Sequence, residues 1–444
     1  MKLKPNFMLN SPLAEELYSG IEHLPLIDWH NHLAVADLKN DRKFSNITEL
    51  WLKSDPYKHR AMRICGVPEK FITGNSSDYE KFEAWFRTLP QLAGNPLFFW
   101  SALELERIFG ISGDWNVLSP RKLYDQLGEM LTDERFSARS LLKHFQVEYA
   151  APCAAAGDDL TAFDGMESIV PSLRGDDICN LEYAPFRECD SLEEAEELLA
   201  GTVASFHSHG CRFADHALDC DFEYLRDDGK NAERFMLWKK GVLPEAEKNA
   251  LQCRVLRCLG REYARNDWVL QLHIGALRKT SGRLRAAAGA AGGYAGIGSG
   301  CNMTSLATLL DDLERSGAGM PRVILYTLNP ADHAPFAVLS GSFTGNGVRG
   351  NVSLGPAWWY CDHVYGIRDC LENVAAYGVL SVFPGMTTDS RSILSFVRHE
   401  YFRRIFCSFL AEKSRKDELP DDIGILRMLA ENAAYNNAAE MIKE

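Results

Sequence analysis

The sequence predicts an α/β fold: a (β/α)8 TIM barrel with a large helical insertion after its first strand. Three observations carry that expectation. The chain has 444 residues, 46% hydrophobic and 25% charged, the balance of an ordinary globular protein long enough for one large domain with an insertion. Apolar, β-branched runs of strand length recur eight times, and stretches of helical periodicity separate them. Only the first gap is far too long for a simple crossover.

The first strand is LPLIDWH (24–30), and residues 1–33 form the segment that contains it. Residues 34–145 carry almost no β pattern. Asp55 and Pro56 read as an N-cap followed by proline at the first helical position, and SDYEKFEAWFRTL and SALELERIFGI have helical spacing. From 146 to 444 the rest of the barrel and the C-terminal helices are expected. The strands there are VEYAAP (147–152), SIVPSLR (168–174), RFADHAL (212–218), WVLQLHI (268–274), VILYTL (323–328), NVSLGPAWW (351–359) and VLSVFPGM (379–386). The connection from 328 to 351 is short on helical pattern.

A formal net charge of −13 disfavours nucleic acid and anionic membrane as partners, because both need a basic footprint. No 18-residue apolar run occurs, and MKLKPNFMLN lacks the features of a secretory leader, so a cytoplasmic protein without a membrane partner is expected. Twelve cysteines without a C-x-x-C pair point to reduced thiols rather than a disulfide framework.

Barrel active sites sit at the C-terminal ends of the strands. His30 and His32 end the first strand two residues apart, so their imidazoles converge and can grip one ion. His216 ends the fourth strand, His273 the fifth, and Asp389 follows the eighth in GMTTDSRS, which places five ligand-type side chains on one rim. A second H-x-H, His207 and His209, precedes the fourth strand and reads as a solvated loop at the other end. GGYAGIGSG (292–300) lacks the signature of a phosphate loop and reads as a flexible connection. RHEYFRR (398–404) lacks the second histidine of a zinc-protease helix; Leu394, Val397, Tyr401 and Ile405 make it the last barrel helix packing inward. Arg174 ends the third strand and Arg391 stands in what reads as the first turn of a helix. Two arginines and a metal on one rim suit an anionic substrate, although ion pairing within the fold would account for either arginine.

The strings IDWHNHL, ITELWLKSDPYKHRAMRICGV, GNPLFFWSALELERIFGI, PSLRGD, ADHALD, LQLHIGALR, LNPAD, AWWYCD and GMTTDSRSILSFVRHEYFRRIFC together resemble the uronate (glucuronate) isomerase family of the amidohydrolase superfamily, from about residue 7 to the C-terminus. The resemblance implies interconversion of D-glucuronate with D-fructuronate and of D-galacturonate with D-tagaturonate, a small sugar acid being the partner and a homo-oligomer being compatible. It carries over His30, His32 and Asp389 as ligands of one divalent ion, zinc being the expectation, with Asp389 serving as ligand or general base. Tyr57 and Arg391 carry over to catalysis. His273 carries over as ligand or substrate contact, and Arg174, His216 and Trp358 as substrate contacts. The sequence departs from the family pattern at GAAGGYA, where Ala291 and Ala295 replace acids, at Pro56 and His59, and at CAAAGDDL. A metal-dependent hydrolase of the same superfamily and a weak sugar-acid-binding homologue are the competing expectations.

Overall fold

The structure is a computed structural model and describes residues 2–113, 117–345 and 347–443. Its strands are β1 (Leu26–Asn31), β2 (Val147–Ala155), β3 (Ser172–Arg174), β4 (Phe213–Asp219), β5 (Val269–Leu277), β6 (Gly296–Ile297), β7 (Arg322–Thr327) and β8 (Val352–Leu354). They pair in the order β1-β2-β3-β4-β5-β7-β8, all parallel, while β6 is a short antiparallel addition to β5. Helices occupy the connections, giving the curled parallel sheet of a (β/α)8 barrel.

Both faces of this sheet are buried. Ile27, Trp29, Tyr149, Ala151, Phe213, Val269, Ile324 and Tyr326 fill the barrel, where Ala438 and Ala439 of the C-terminal helix join them. Leu173, Ala214, Leu270, Leu272, Val323 and Leu325 face the helices instead. Strands covered on both sides need no polar alternation, which is why they read as continuous apolar runs.

The expected eighth strand at 379–386 is not a strand. A 3-10 turn occupies Leu380–Val382, Pro384 has no N–H to give a ladder, and Gly385 adopts a φ of 102°. A Cβ at Gly385 would stand 2.2 Å from the Ala433 carbonyl oxygen, so glycine is required there. The residues just after it close the seam. The His30 N–H donates to Thr387 Oγ1 (2.9 Å), the Asp389 N–H to the His30 carbonyl (3.0 Å) and the His32 N–H to the Ser390 carbonyl (2.8 Å). β3 is shorter than the expected 168–174, with Ile169 making only an isolated bridge to Ala150, and the run expected at 351–359 is extended only from Val352 to Leu354.

Between β1 and β2 the described residues are helical wherever they are regular. Asp55 caps the helix Pro56–Ile64 by accepting from the Tyr57 and Lys58 N–H groups, which aims Tyr57 at the strand ends. His207 ends the helix Leu192–Ser208 and accepts from the Trp268 indole at 3.1 Å, so the expected solvated loop is a helix terminus. Residues 292–300 are pinned rather than free: β6 pairs with β5, and Arg60 donates to the Gly293 and Ala295 carbonyls. The arginine at 391 lies before the 3-10 turn Ile393–Phe396 and the helix Val397–Arg415, not in the helix's first turn.

Candidate active site

A slip in the β1–β2 register between Asp28 and Asn31 re-aims the end of β1 toward the rim. Asp28 anchors the opposite side of the seam, accepting from the Thr388 N–H (2.8 Å) and from the Thr387 and Thr388 hydroxyls. Burial nevertheless pushes its carboxyl up to about 6. Asp389 follows in the left-handed region at φ 49°, a conformation that costs a non-glycine residue energy and is held by these bonds.

There the three expected metal ligands meet. His30 Nε2 and His32 Nε2 lie 3.2 and 3.1 Å from the same oxygen, Asp389 Oδ1. Both contacts are of hydrogen-bond length, so one carboxylate oxygen is shared by the two imidazoles, residue types that can ligate a divalent cation. Burial alone would raise the Asp389 carboxyl, but hydrogen bonds from His30 and His32 hold it well below its ordinary value. The phenol of Tyr57 donates to the other oxygen, Oδ2, at 3.3 Å. Burial, then the charge of Asp389, raises that phenol well above its ordinary value, so it keeps its proton.

His273 stacks on Tyr326 (4.5 Å between centroids) and lies 4.4 Å from the His30 ring and 4.6 Å from Trp358. It is 3% exposed, and its Nε2 has no hydrogen-bond partner among the described residues. Burial, followed by the neighbouring His30, keeps it well below its usual value and therefore neutral, with an electron pair to offer. Arg391 is exposed and forms no ion pair among the described residues. It borders a cavity of about 320 Å3 together with His32, Arg42, Lys53 and Ser54, which falls in the usual range for small-molecule sites.

A family model described as glucuronate isomerase matches residues 1–442. The chain belongs to the glucuronate isomerase family. It is 37% identical over 459 residues to a uronate isomerase of Caldanaerobacter subterraneus, covering 98% of each chain. It is 38% identical over 457 residues to a uronate isomerase of Geobacillus thermodenitrificans, covering 98% of this chain and 97% of the other. A uronate isomerase of Thermotoga maritima, solved by crystallography, superposes with a TM-score of 0.90 at 27% identity over all of both chains.

Two residues carried over from the glucuronate isomerase pattern stand differently from expectation. His216 is turned away from the rim: its Nδ1 faces Cys179 Sγ (3.3 Å) and its Nε2 the Tyr263 hydroxyl (2.9 Å). Phe213 of β4 points into the barrel, so strand alternation sends Asp215 inward and His216 outward. Arg174 does point inward, but Asp215 (3.2 Å) and Asp176 (2.7 Å) already engage it. Burial disfavours its charge, and the two carboxylates more than offset that. Trp358 remains in place against His273.

Sequence reasoning missed Asp215, Cys153 and Arg398. One donor atom from each of His30, Asp215 and His273 lies within 4.8 Å of the others, and the same holds for His30, His32 and Cys153. Arg398, 1% exposed, stacks over the rings of Tyr57 (4.6 Å) and Trp100 (4.0 Å) and donates to the Thr388 carbonyl (2.9 Å). Only once the structure sets Phe213 inward does alternation along β4 give Asp215, and nothing in the sequence marks Arg398.

Proposed function

We propose that this protein is an aldose–ketose isomerase that interconverts D-glucuronate with D-fructuronate and D-galacturonate with D-tagaturonate by moving a proton between C2 and C1. The observation that carries the reading is the division of labour on Asp389. One oxygen faces the two imidazoles and the other receives the phenol proton of Tyr57. Held well below its ordinary value, the carboxylate is ionised across the physiological range; a value that low makes it a weak base, so its capacity to take a proton comes from its position beside the substrate.

His30, His32 and Asp389 would hold the cation, and zinc suits two imidazoles and a carboxylate. When bound, it would supply positive charge to the substrate oxygens as the C2 proton leaves. Asp389 Oδ2 takes the proton from C2 of the open-chain sugar and returns it to C1. Tyr57, kept protonated, gives a hydrogen bond to the oxygen that gains charge and shuttles the hydroxyl proton. Arg391 faces the cavity as an open cation for the substrate anion, while Arg174 orders Asp215 and Asp176 at the ends of the neighbouring strands. His273 and Trp358, packed together with their rings inclined at 50°, would bound the sugar on one side. The family membership disfavours both the hydrolase and the weak-binding expectations.

The test is turnover of D-glucuronate and D-galacturonate against ester, lactone and amide hydrolysis, each with and without chelation. Uronate isomerisation alone, with solvent deuterium entering the transferred position, is expected. Hydrolysis without isomerisation would sink the reading.

A further inference from the structure

Cys153 lies where β2 reaches the rim, and strand alternation sends it inward with Tyr149 and Ala151. Its S–H donates to Asp215 Oδ1 at 3.3 Å, and its sulfur lies 3.5 Å from His30 Nδ1. One donor atom each from His30, His32 and Cys153 falls within 4.8 Å of the others. Closing that separation to the spacing of ligands around one ion is a small adjustment of the kind a χ1 rotation of the cysteine provides. A second feature points to a ligand here: His273, a member of the overlapping His30–Asp215–His273 group, has a buried Nε2 without a partner among the described residues.

We propose that Cys153 supplies a thiolate ligand to an ion held with His30 and His32, so that this chain's metal centre contains sulfur. The proposal rests on the metal reading above. Binding forms the metal–sulfur bond and releases the thiol proton to solvent, the S–H bond being the one that breaks. Asp215, relieved of that S–H, keeps Arg174 as its partner. A sulfur donor shifts the centre's preference toward thiophilic cations such as zinc, cobalt and cadmium and away from manganese and magnesium.

Cobalt(II) tests this without relying on activity. The full chain is stripped with a chelator, loaded with one equivalent of cobalt(II), and its bound metal and absorption spectrum are measured beside those of Cys153→Ser. The parent is expected to show visible d–d bands and an intense near-ultraviolet sulfur-to-cobalt band, and the variant to retain only the former. Bound cobalt in the parent without the sulfur band, or a band that survives in Cys153→Ser, would overturn the assignment while leaving the metal reading intact. No bound cobalt in the parent would remove both. Should the variant fail to fold, the parent still decides: stoichiometric zinc should slow alkylation of Cys153 at least ten-fold and leave the partly exposed Cys65 unchanged, and equal rates with and without zinc would refute the thiolate.

Discussion

Replacing Arg398 with methionine removes a guanidinium that touches Tyr57 and the carbonyl of Thr388, the residue before Asp389. The loss includes a charge-assisted hydrogen bond to the Thr388 carbonyl, worth about 1.5–3 kcal/mol, and stacking on Tyr57 and Trp100, worth roughly 2 kcal/mol where desolvated. Relief of the cation's own desolvation offsets several kcal/mol of this, so a net destabilisation of about 1–3 kcal/mol is expected at pH 6. The structure makes that cost depend on pH. Asp362, 3.8 Å from Arg398 and 3% exposed, is pushed by burial up to about 7, with Arg398 pulling it down. Without the arginine its folded pKa rises further. Above pH 7 the folded variant keeps a proton that the unfolded chain has lost, and stability falls by about 1.4 kcal/mol per pH unit relative to the parent. Catalysis should suffer more than stability. A displacement of the Tyr57–Asp389 pair by about 1 Å costs on the order of 10²-fold, so kcat should drop about 10- to 100-fold while KM stays within about three-fold. Proton NMR of uronate interconversion gives the first quantity, and urea unfolding at pH 6 and pH 8.5 gives the second. A kcat within two-fold of the parent, with the stability difference equal at both pH values, would refute the positioning argument.

Asp389→Asn should lose about 10²-fold or more of the isomerase rate at saturating metal, because an amide can face an ion but cannot take a proton; recovery of full activity by added metal would leave Tyr57 as the base. Arg391→Met should raise KM for uronates more than Arg174→Met does, since Arg174 already has two carboxylate partners; the reverse order in steady-state kinetics would exchange their roles. His216→Leu should cost about 1–3 kcal/mol by orphaning the Tyr263 hydroxyl, yet leave kcat/KM within about three-fold. Asp362→Asn should flatten the pH dependence of stability. In the parent, the carboxyl's folded value of about 7 lies above its unfolded 3.8, so stability falls as pH rises between them, by about 4 kcal/mol in all. Unfolding curves of parent and variant that stay parallel across that window would contradict it.

The meeting of His30, His32 and Asp389 was legible because residues two apart on a strand face the same way and because Asp389 follows the last barrel run, so both fall on one rim. The fourth strand shows where such reading stops. Asp215 and His216 are adjacent, both faces of β4 are buried, and hydropathy therefore carries no phase from which to choose the inward residue. The eighth strand failed for a different reason: the apolar run around Val379–Met386 is real, but proline and a positive-φ glycine deny it a ladder, and side-chain and backbone bonds from 387–390 take over. Arg398 sits within a helix whose apolar spacing correctly predicted inward packing; its partners come from segments far away along the chain, which local pattern cannot supply.

The seam between β1 and residues 387–390 joins positions 357 residues apart, and the Asp389 carboxylate lies on its far side. At synthesis rates of about 5–20 residues per second, β1 waits roughly 20–70 s before this partner leaves the ribosome. During that interval one flank of an apolar strand has no neighbour, while its other flank can already pair with β2. The rim where His30, His32 and Asp389 meet is therefore among the last parts of the molecule to form, and a chain stopped short of Thr387 keeps both imidazoles yet lacks the carboxylate and the seam that fixes them.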